Sequence, residues 1–551
     1  MTRMSEEDKQ NLFEKYTHLK KYVENIRDKI GEPVFYTTLP FEARDEAYPN
    51  LIYATKGSVF IHIFRTKDMN EIEYRAIEPS LSDIEKKKYE KLLTSIVKMA
   101  PSKKSVITDN ELKEVLKELI DELIIVDEKA EGFDEGKKGV ISKFSKSDKI
   151  KATSAQKSDI EYFIIKSQIG GGAIEPFMRD PYLEDVHIIA GENVHLIHKV
   201  FGMIKTNVEI NKEDAPAFAR KLTEKMGATV SEGKPIADGM LPDGSRGNVI
   251  YSDTVSLKGP SMTIRKFTET PISVTQLIKW GTLGSNIAAY LWLCSQYGRS
   301  FFICGETASG KTTTMNSLIP FIPPEKKIYT AESTPELTVP HTVWQRLLTK
   351  TTGPKEGQVD LFDLLKAALR SRPDYIIPGE VRGAEGNIVF QAMQTGHPCI
   401  TTFHAGTLTK VIQRFTGDPI NVPKTFMDNL DFVLIQTALE RDGKRIRRCI
   451  SLDEIEGYNR EVDGVMARTA FEWDPVEDKQ IFKANKNSFI LEQKIAKNMG
   501  YVDTSEIYDE YERRRHILER MVEEEIFDYY EVVQFIWTFY RDGEKALPIS
   551  I

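Results

Sequence analysis

The segment that most restricts the fold is residues 300–314, which read SFFICGETASGKTTT. A short apolar run is followed by a glycine-bounded loop and then by the start of a helical pattern. Gly305, Gly310, Lys311 and Thr312 match G-x-x-x-x-G-K-[ST], the pattern of a phosphate-binding loop. The glycines let successive backbone N–H groups point at one phosphate, and the following helix adds its positive N-terminus. The segment therefore predicts a site for a nucleoside triphosphate.

Individual residues of this loop have separate predicted roles. The Lys311 ammonium is expected to reach the β- and γ-phosphates, and the Thr312 hydroxyl is expected to bind Mg²⁺. The expected cofactors are therefore ATP and Mg²⁺. The predicted nucleotide contacts are consecutive in the chain: Gly305, Glu306, Thr307, Ala308, Ser309, Gly310, Lys311, Thr312 and Thr313.

The composition narrows the class of protein. The chain has 551 residues and a formal net charge of -8, which argues against nucleic acid as the main partner because such binding usually needs a basic face. The four cysteines are scattered without a C-x-x-C pair, so neither a disulfide framework nor a zinc site is expected. The first nine residues are charged and polar, and no apolar run reaches ~18 residues. We therefore expect no signal peptide, no membrane span, and a cytoplasmic protein that reaches the membrane through its partners.

Patterns along the chain predict four parts. Residues 1–128 combine strand-like runs with amphipathic helices, residues 129–157 have the composition of a linker, and residues 158–267 form a second α+β segment. From 268 to 551, strands alternate with helices as in a parallel α/β sheet, with a charged helical tail. The apolar stripe of residues 5–31 predicts one amphipathic helix, which either packs on its own domain or docks on a partner.

Polar groups follow three further apolar runs downstream of the loop. Glu332, Glu380 and His404 each come directly after a strand-like segment. Ligands of open α/β sheets lie at the carboxyl ends of the strands, so these side chains should meet at the phosphate-binding loop. We expect Glu380 to hold Mg²⁺, Glu332 to activate the attacking water, and His404 to contact the γ-phosphate or sense its loss. Glu336 and His397 are weaker alternatives.

An arginine is also expected near the transferred phosphoryl group, whose charge is spread over three oxygens. Most arginines in a chain are solvated or paired with carboxylates, so proximity in sequence does not single one out. The sequence leaves the choice open among Arg246, Arg265, Arg346, Arg370, Arg372 and Arg382.

These residues give the chain a resemblance to a known family. Residues 305–312, 330–336, 370–383 and 395–405 occur in the order of the Walker A, Asp box, Walker B and His box of the type II and type IV secretion and pilus ATPases. Four other segments resemble the N-terminal half of the archaeal branch: residues 177–181, 184–186, 242–246 and 263–267. Two more resemble the archaellum motor ATPase: residues 74–79 and 515–541.

The resemblance implies a RecA-like P-loop ATPase domain with a separate α+β N-terminal region. It implies a homohexameric ring in which ATP binds between two lobes of each subunit. By the resemblance, Glu332 is the catalytic carboxylate, Glu380 the Walker B carboxylate and His404 the His-box histidine. Arg246 and Arg265 become candidate contacts of the γ-phosphate from the N-terminal lobe.

The biological role implied is an Mg²⁺-dependent ATPase motor that drives assembly and rotation of an archaeal type IV pilus-like filament, the archaellum. Such a motor acts at the inner face of the cell membrane against a polytopic membrane platform protein. The alternative within the family is an ATPase for adhesive pilus assembly or for type II/IV secretion. Two other classes are a DNA-translocating motor, which the net charge disfavours, and a non-hydrolysing scaffold, which would not need both Glu332 and Glu380.

Two departures from the family pattern bear on individual roles. Ser333 stands where the family usually has Asp, so the support of Glu332 or of the metal by that side chain is in question. Pro378 replaces an aliphatic residue just before Gly379 and Glu380. Because proline cannot donate to a sheet ladder, we expect Pro378 to lie where its strand has stopped pairing.

Overall fold

The computed structural model describes residues 3–548 apart from 38, 41–42, 45, 56, 100–108, 131–148, 268–269, 351–354 and 442–443. The chain divides into two compact units, Met1–Phe267 and Thr268–Ile551. Most of the segment predicted as a linker, 129–157, lies outside the described residues.

The first unit is an α+β structure built on one ten-stranded sheet. Its helices and strands follow in the order α1 (Glu6–Lys15), α2 (Thr17–Ile30), β1 (Val34–Tyr36), β2 (Asn50–Ala54), β3 (Phe60–Phe64), β4 (Glu73–Ile77), α3 (Asp83–Met99), α4 (Asp109–Leu123), β5 (Ile124–Val126), β6 (Ile150–Ala152), α5 (Ser154–Gln168), α6 (Glu175–Arg179), β7 (Leu183–Ile189), β8 (Asn193–His198), β9 (Gly202–Glu209), α7 (Ala215–Lys225), β10 (Ile236–Met240), β11 (Arg246–Ile250) and β12 (Ser261–Arg265).

The strand order of this sheet is β1-β2-β3-β4-β9-β8-β7-β12-β11-β10. Its neighbouring strands are antiparallel except for two parallel pairs, β1 with β2 and β4 with β9. Since β4 and β9 come from the two segments that the sequence separates, both segments contribute strands to the same sheet. The short strands β5 and β6 pair with each other outside it.

The N-terminal stripe forms two helices, so the prediction of one helix over 5–31 is wrong. Tyr16 leaves helical geometry, with φ −124° and ψ 86°, and its ring packs edge-on against Phe60 at 5.1 Å. Leu19 and Val23 of α2 are buried in a cluster with residues of β1 to β4, and Ile26 of the same helix is buried as well. The stripe therefore packs on its own domain, and this tertiary contact explains the break between α1 and α2.

The second unit alternates strands with helices along most of its length. Its elements follow in the order α8 (Val274–Lys279), α9 (Ser285–Gln296), β13 (Phe301–Gly305), α10 (Lys311–Leu318), β14 (Ile328–Glu332), β15 (Trp344–Leu348), α11 (Leu361–Ser371), β16 (Tyr375–Pro378), α12 (Glu385–Gln394), β17 (Ile400–Phe403), α13 (Leu408–Thr416), β18 (Phe432–Arg441), β19 (Lys444–Asn459), β20 (Gly464–Asp474), β21 (Lys479–Phe482), a π-helix (Phe489–Ala496), α14 (Ile507–Glu523) and α15 (Tyr529–Asp542).

Two ladders make up the central sheet of this unit, β15-β14-β16 and β17-β13-β18-β19-β20-β21. Isolated parallel bridges from Ile376 to Cys399 and from Val381 to Phe403 connect them between β16 and β17. In the spatial order β15-β14-β16-β17-β13-β18, all neighbouring strands run parallel. The carboxyl ends of β13, β14, β16 and β17 therefore lie at one edge of the sheet. This is the α/β arrangement of a RecA-like domain. The predicted fold class, with its separate α+β region, is confirmed.

The helical tail predicted from the sequence belongs to the core of the second unit. Tyr511 and Ile517 of α14 and Ile536 of α15 are buried in the same cluster as α9, which is buried from Ile287 to Ser295. Within the part of the chain that the structure describes, none of the helices combines the length and apolar character needed to cross a membrane.

Candidate active site

The phosphate-binding loop connects β13, whose five residues are all buried, to α10. Ala308 and Gly310 have positive φ values of 61° and 92°. A Cβ on Gly305 would lie 2.1 Å from the carbonyl oxygen of Gln436, so a side chain at this position would clash with β18. Because α10 begins at Lys311, the unpaired N–H groups of its first turn lie at the loop. The segment therefore has the backbone of an anion site.

Lys311, His404 and Glu380 lie together beside this loop. The Lys311 ammonium donates to the carbonyl of Glu306 at 2.9 Å and lies 3.5 Å from Nδ1 of His404. Nε2 of His404 lies 2.6 Å from one carboxylate oxygen of Glu380, and the Arg382 guanidinium lies 2.5 Å from the other. The structure thus brings three predicted site residues from three separate sequence boxes into one cluster.

Lys311 and Arg382 are the two cations of this cluster, and either can attract an anion such as a phosphate. Burial lowers the pKa of Lys311, and the nearby Glu380 carboxylate opposes that shift. Burial also lowers the pKa of His404, and the positive charge of Lys311 lowers it further. The lowered pKa favours the neutral ring of His404, whose Nδ1 lies toward Lys311 and whose Nε2 lies toward Glu380. Lys311 and Arg382 place two cations beside the Glu380 carboxylate, and the Glu336 and Glu385 carboxylates also act on these cations.

Glu332 ends β14 in a different environment. Its side chain is 1% exposed, and Oε1 accepts hydrogen bonds from the backbone N–H groups of Glu336 and Leu337, both at 2.8 Å. Among the described residues Oε2 has no hydrogen-bond partner, and Nε of Arg346 lies 4.0 Å from it. Burial raises the pKa of Glu332 to about 7, although the two backbone hydrogen bonds oppose the shift. This carboxyl can therefore exchange a proton near neutral pH.

The turn after Glu332 clarifies two sequence questions. The Glu336 side chain is exposed, and its backbone N–H donates to Glu332. Ser333 is exposed as well. Because backbone N–H groups hold Glu332, replacing the family's Asp by Ser333 leaves this support in place.

Pro378 is the last residue of β16 and still pairs with Ala331 of β14, so the expectation that it lies beyond all pairing is wrong. On the side of β17 it lies between two isolated bridges. There the Thr401 hydroxyl donates to the Pro378 carbonyl at 2.9 Å and the Thr402 hydroxyl donates to the Gly379 carbonyl at 2.8 Å. These hydroxyls satisfy the carbonyl oxygens of Pro378 and Gly379 on that side of the strand.

Two residues near the loop were not predicted from the sequence. The side chain of Gln436 on β18 is buried and accepts a hydrogen bond from the Thr314 hydroxyl at 2.9 Å. Nε of Arg447 on β19 donates to the carbonyl of Ala308 at 3.1 Å, so this arginine holds the tip of the phosphate-binding loop. Neither residue lies in a recognisable motif, and only the pairing of β13, β18 and β19 brings them here.

Four of the six candidate arginines fall into two groups. Arg246 and Arg265 are cross-strand partners on β11 and β12 of the first unit, and Nε of Arg265 lies 3.2 Å from a carboxylate oxygen of Asp185. In the second unit, Arg346 and Arg382 lie beside the two site carboxylates.

The residues present fit a nucleotide that brings Mg²⁺ with it. Among the described residues, no group of three or more His, Cys, Asp or Glu side chains could hold a metal ion. Nucleotide-bound Mg²⁺ needs only one or two protein oxygens beside the phosphates, and the Thr312 hydroxyl and the Glu380 carboxylate can supply them. The buried Ser309 hydroxyl also has no partner within the described part of the loop.

Comparison with known proteins identifies the family of this chain. A family model described as "Type II/IV secretion system protein" matches residues 180–528. The chain belongs to this family. The resemblance of its sequence boxes is therefore confirmed at the level of the family.

Individual relatives of this family member are similar over different lengths. The uncharacterized protein MJ0900 of Methanocaldococcus jannaschii is 50% identical over 553 aligned residues, which cover 100% of this chain and 99% of the relative. The type IV secretion system protein VirB11 of Bartonella henselae is 27% identical over 295 residues, covering 46% of this chain and 78% of VirB11. Among solved structures, the Legionella pneumophila ATPase DotB aligns with a TM-score of 0.38 and 17% identity, covering 66% of this chain and 94% of DotB.

Proposed function

We propose that this family member is an Mg²⁺-dependent ATP hydrolase. The observation that carries the proposal is the joining of Lys311, His404 and Glu380 in one cluster beside the phosphate-binding loop. Glu332 stands close to this cluster, because a Cβ on Gly379, which precedes Glu380, would lie only 3.1 Å from Cγ of Glu332. The site thus combines groups that hold phosphates with a carboxyl that can take a proton.

Each side chain has a distinct task in the proposed reaction. Lys311 and the first N–H groups of α10 bind the phosphates, and Mg²⁺, when bound, neutralises their charge. Thr312 and Glu380 would hold that ion. Glu332 accepts the proton of the water whose oxygen bonds to the γ-phosphorus, while the bond from that phosphorus to the bridging oxygen breaks and ADP leaves. His404 would contact the γ-phosphate or respond to its loss.

A release assay for inorganic phosphate tests the proposal. Lys311→Ala should abolish turnover, because it removes the cation nearest the loop. The matched control is Lys366→Ala on α11, an exposed lysine that packs over Phe362 at 4.3 Å and should leave turnover unchanged. Full activity in Lys311→Ala, or no activity in the unchanged protein with ATP and Mg²⁺, would refute the assignment.

We further propose that the hydrolase is the motor of an archaeal filament, with the archaellum as first choice. Residues 74–79 and 515–541 support this choice through their similarity to the archaellum motor ATPase. In this proposal the protein works at the inner face of the cell membrane as a homohexamer, beneath a polytopic platform protein and without a nucleic-acid partner. A deletion strain that loses swimming but keeps its pili would support it, whereas loss of pili or of secretion would favour the alternative roles.

Arg246 and Arg265 remain the proposed γ-phosphate contacts from the first unit. Their pairing on adjacent strands gives two guanidinium groups on one sheet. Arg246→Ala and Arg265→Ala should lower the turnover number and leave assembly of the ring, measured by light scattering, unchanged. Unchanged turnover in both variants would remove them from the site.

A further inference from the structure

The hydrogen bonds that hold Glu332 come from the turn of residues 336–338, which is itself held by other hydrogen bonds. The backbone N–H groups of Glu336 and Leu337 both donate to Oε1 of Glu332 at 2.8 Å. A turn can present two N–H groups to one oxygen only if its backbone is fixed. The position of the Glu332 carboxylate therefore depends on whatever fixes residues 336–338.

The side chain of Asn316 grips this turn from both of its amide atoms. Nδ2 of Asn316 donates to the carbonyl of Glu336 at 2.8 Å, and Oδ1 accepts from the N–H of Thr338 at 2.9 Å. These two backbone groups bracket Leu337, one of the donors to Glu332. The Asn316 side chain is buried, so water does not compete easily for these bonds.

Asn316 lies on α10, the helix that begins with Lys311 at the phosphate-binding loop. The lysine and the asparagine are only five positions apart, and α10 spans only Lys311–Leu318. The same short helix therefore touches the expected phosphates at one end and the turn that holds Glu332 near the other.

A residue of the C-terminal helices reaches the same place. The Tyr529 hydroxyl at the start of α15 is buried and lies 3.4 Å from the carbonyl oxygens of both Asn316 and Thr338. These are long, weak contacts compared with those of Asn316. They add a second, weaker brace between α10 and the turn.

We infer that Asn316 is a positioning residue that aligns Glu332 with the nucleotide by clamping the 336–338 turn to α10. The inference rests on the proposed function and adds to it a route from the phosphate-binding loop to the proton acceptor. Asn316 itself touches neither the expected nucleotide nor the reacting water.

The first test needs no catalysis. In the full-length protein, hydrogen–deuterium exchange measured by mass spectrometry reports the amides of Glu336, Leu337 and Thr338. Asn316→Ala should speed their exchange by about tenfold or more, because the turn opens locally without its clamp. The matched control is Asn387→Ala, which removes another half-buried asparagine amide that contacts two loop carbonyls, those of Ile420 and Asn421 at 3.4 Å. It should leave exchange of the 336–338 turn unchanged.

The second test uses steady-state kinetics with ATP and Mg²⁺. Asn316→Ala should lower kcat by about tenfold to a hundredfold and change KM by less than about twofold. Its pH–rate profile should also move to higher pH, because Glu332 loses hydrogen bonds that favour its charged form. Arg346 and the Glu336 carboxylate also act on Glu332 and are unchanged in this variant.

The isosteric variant Asn316→Asp guards against a folding defect. It keeps the acceptor for the Thr338 N–H and loses the donor to the Glu336 carbonyl, so its exchange rate and its kcat should lie between those of the unchanged protein and Asn316→Ala. Unchanged turn exchange in both Asn316 variants would overturn the inference, whatever the ATPase activity. If the unchanged protein shows no ATP hydrolysis while the turn still depends on Asn316, the proposed function fails and the clamp stands.

Discussion

Two carboxylates at the same edge of the second unit's sheet occupy opposite environments. Glu332, at the end of β14, is almost fully buried and is held by two backbone N–H groups. Glu380, just after β16, keeps a quarter of its side chain exposed and is held by the side chains of Arg382 and His404. Burial raises the pKa of Glu332 to about 7.

This difference in burial and partners shows how one residue type could serve two chemical tasks in one site. A buried carboxyl whose pKa is near the working pH can take a proton in one step and release it in the next. A carboxylate that faces solvent and cations stays available to a metal ion. The two environments therefore support the proposed roles of proton acceptor for Glu332 and metal ligand for Glu380, although both follow similar apolar strands in the sequence.

The largest expected effect is on turnover in Glu332→Gln. The amide keeps the shape and still accepts from the two N–H groups, but it cannot take a proton, so kcat should fall by about 10²–10⁴. Binding of a fluorescent ATP analogue should remain within about threefold of the unchanged protein. If Glu380→Gln lost as much turnover and Glu332→Gln kept most of it, the assignment of the two roles would be reversed.

A smaller effect is expected on the metal requirement in Glu380→Gln. Losing the charged oxygen should raise the Mg²⁺ concentration for half-maximal activity by about tenfold to a hundredfold. Saturating Mg²⁺ should restore much of the turnover. The same titration on Glu332→Gln should show the ordinary Mg²⁺ requirement in whatever activity remains. An unchanged Mg²⁺ requirement in Glu380→Gln would remove this carboxylate from the metal site.

The pH dependence of kcat should report Glu332. The carboxyl must be ionised to accept a proton, and its pKa is raised to about 7, so kcat should rise between pH 6 and 8 by about tenfold per unit on the acid side. This rise should be absent from the residual activity of Glu332→Gln. A flat profile across this range would show that proton transfer to Glu332 does not limit the reaction.

The smallest expected effect is on thermal stability. The pKa of Glu332 in the folded protein lies above its ordinary value of 4.5, so the folded state holds the proton longer and this group's contribution to stability is lost as the pH rises through about 7. Glu332→Gln should therefore melt about 3 °C higher than the unchanged protein at pH 8 and show no gain at pH 4.5. Glu380→Gln, which loses its contacts with Arg382 and His404, should show no gain at pH 8.

The sequence was informative where local patterns carry the information. Short apolar runs with polar ends predict strands that lead to Glu332, Gly379 and His404, and the structure has β14 ending at Glu332, β16 at Pro378 and β17 at Phe403. It was less informative where tertiary contacts decide. The helical stripe of residues 5–31 breaks at Tyr16 because the Tyr16 ring packs on β3, which no helical period records.

The same limit explains the side chains that support the site. The hydrogen bond between Arg447 and Ala308 joins residues 139 positions apart in the sequence, and the one between Asn316 and Thr338 joins residues 22 positions apart. Each contact depends on the register or packing of separate elements, and neither residue belongs to a motif that names its role. Membership of the family predicts the roles of the four sequence boxes, whereas these supporting contacts can be identified only in the folded structure.

The sequence alone predicts a phosphate-binding loop on a strand–loop–helix unit of an α/β domain, because glycine spacing and apolar periodicity act locally. The tertiary structure was needed to distinguish the environments of the two carboxyls. Burial depends on the whole fold, and burial gives Glu332 a pKa near 7 while Arg382 and His404 hold Glu380 near solvent. The hydrogen bonds from Asn316 to the 336–338 turn also depend on tertiary structure, since they exist only when α10 and that turn are packed together.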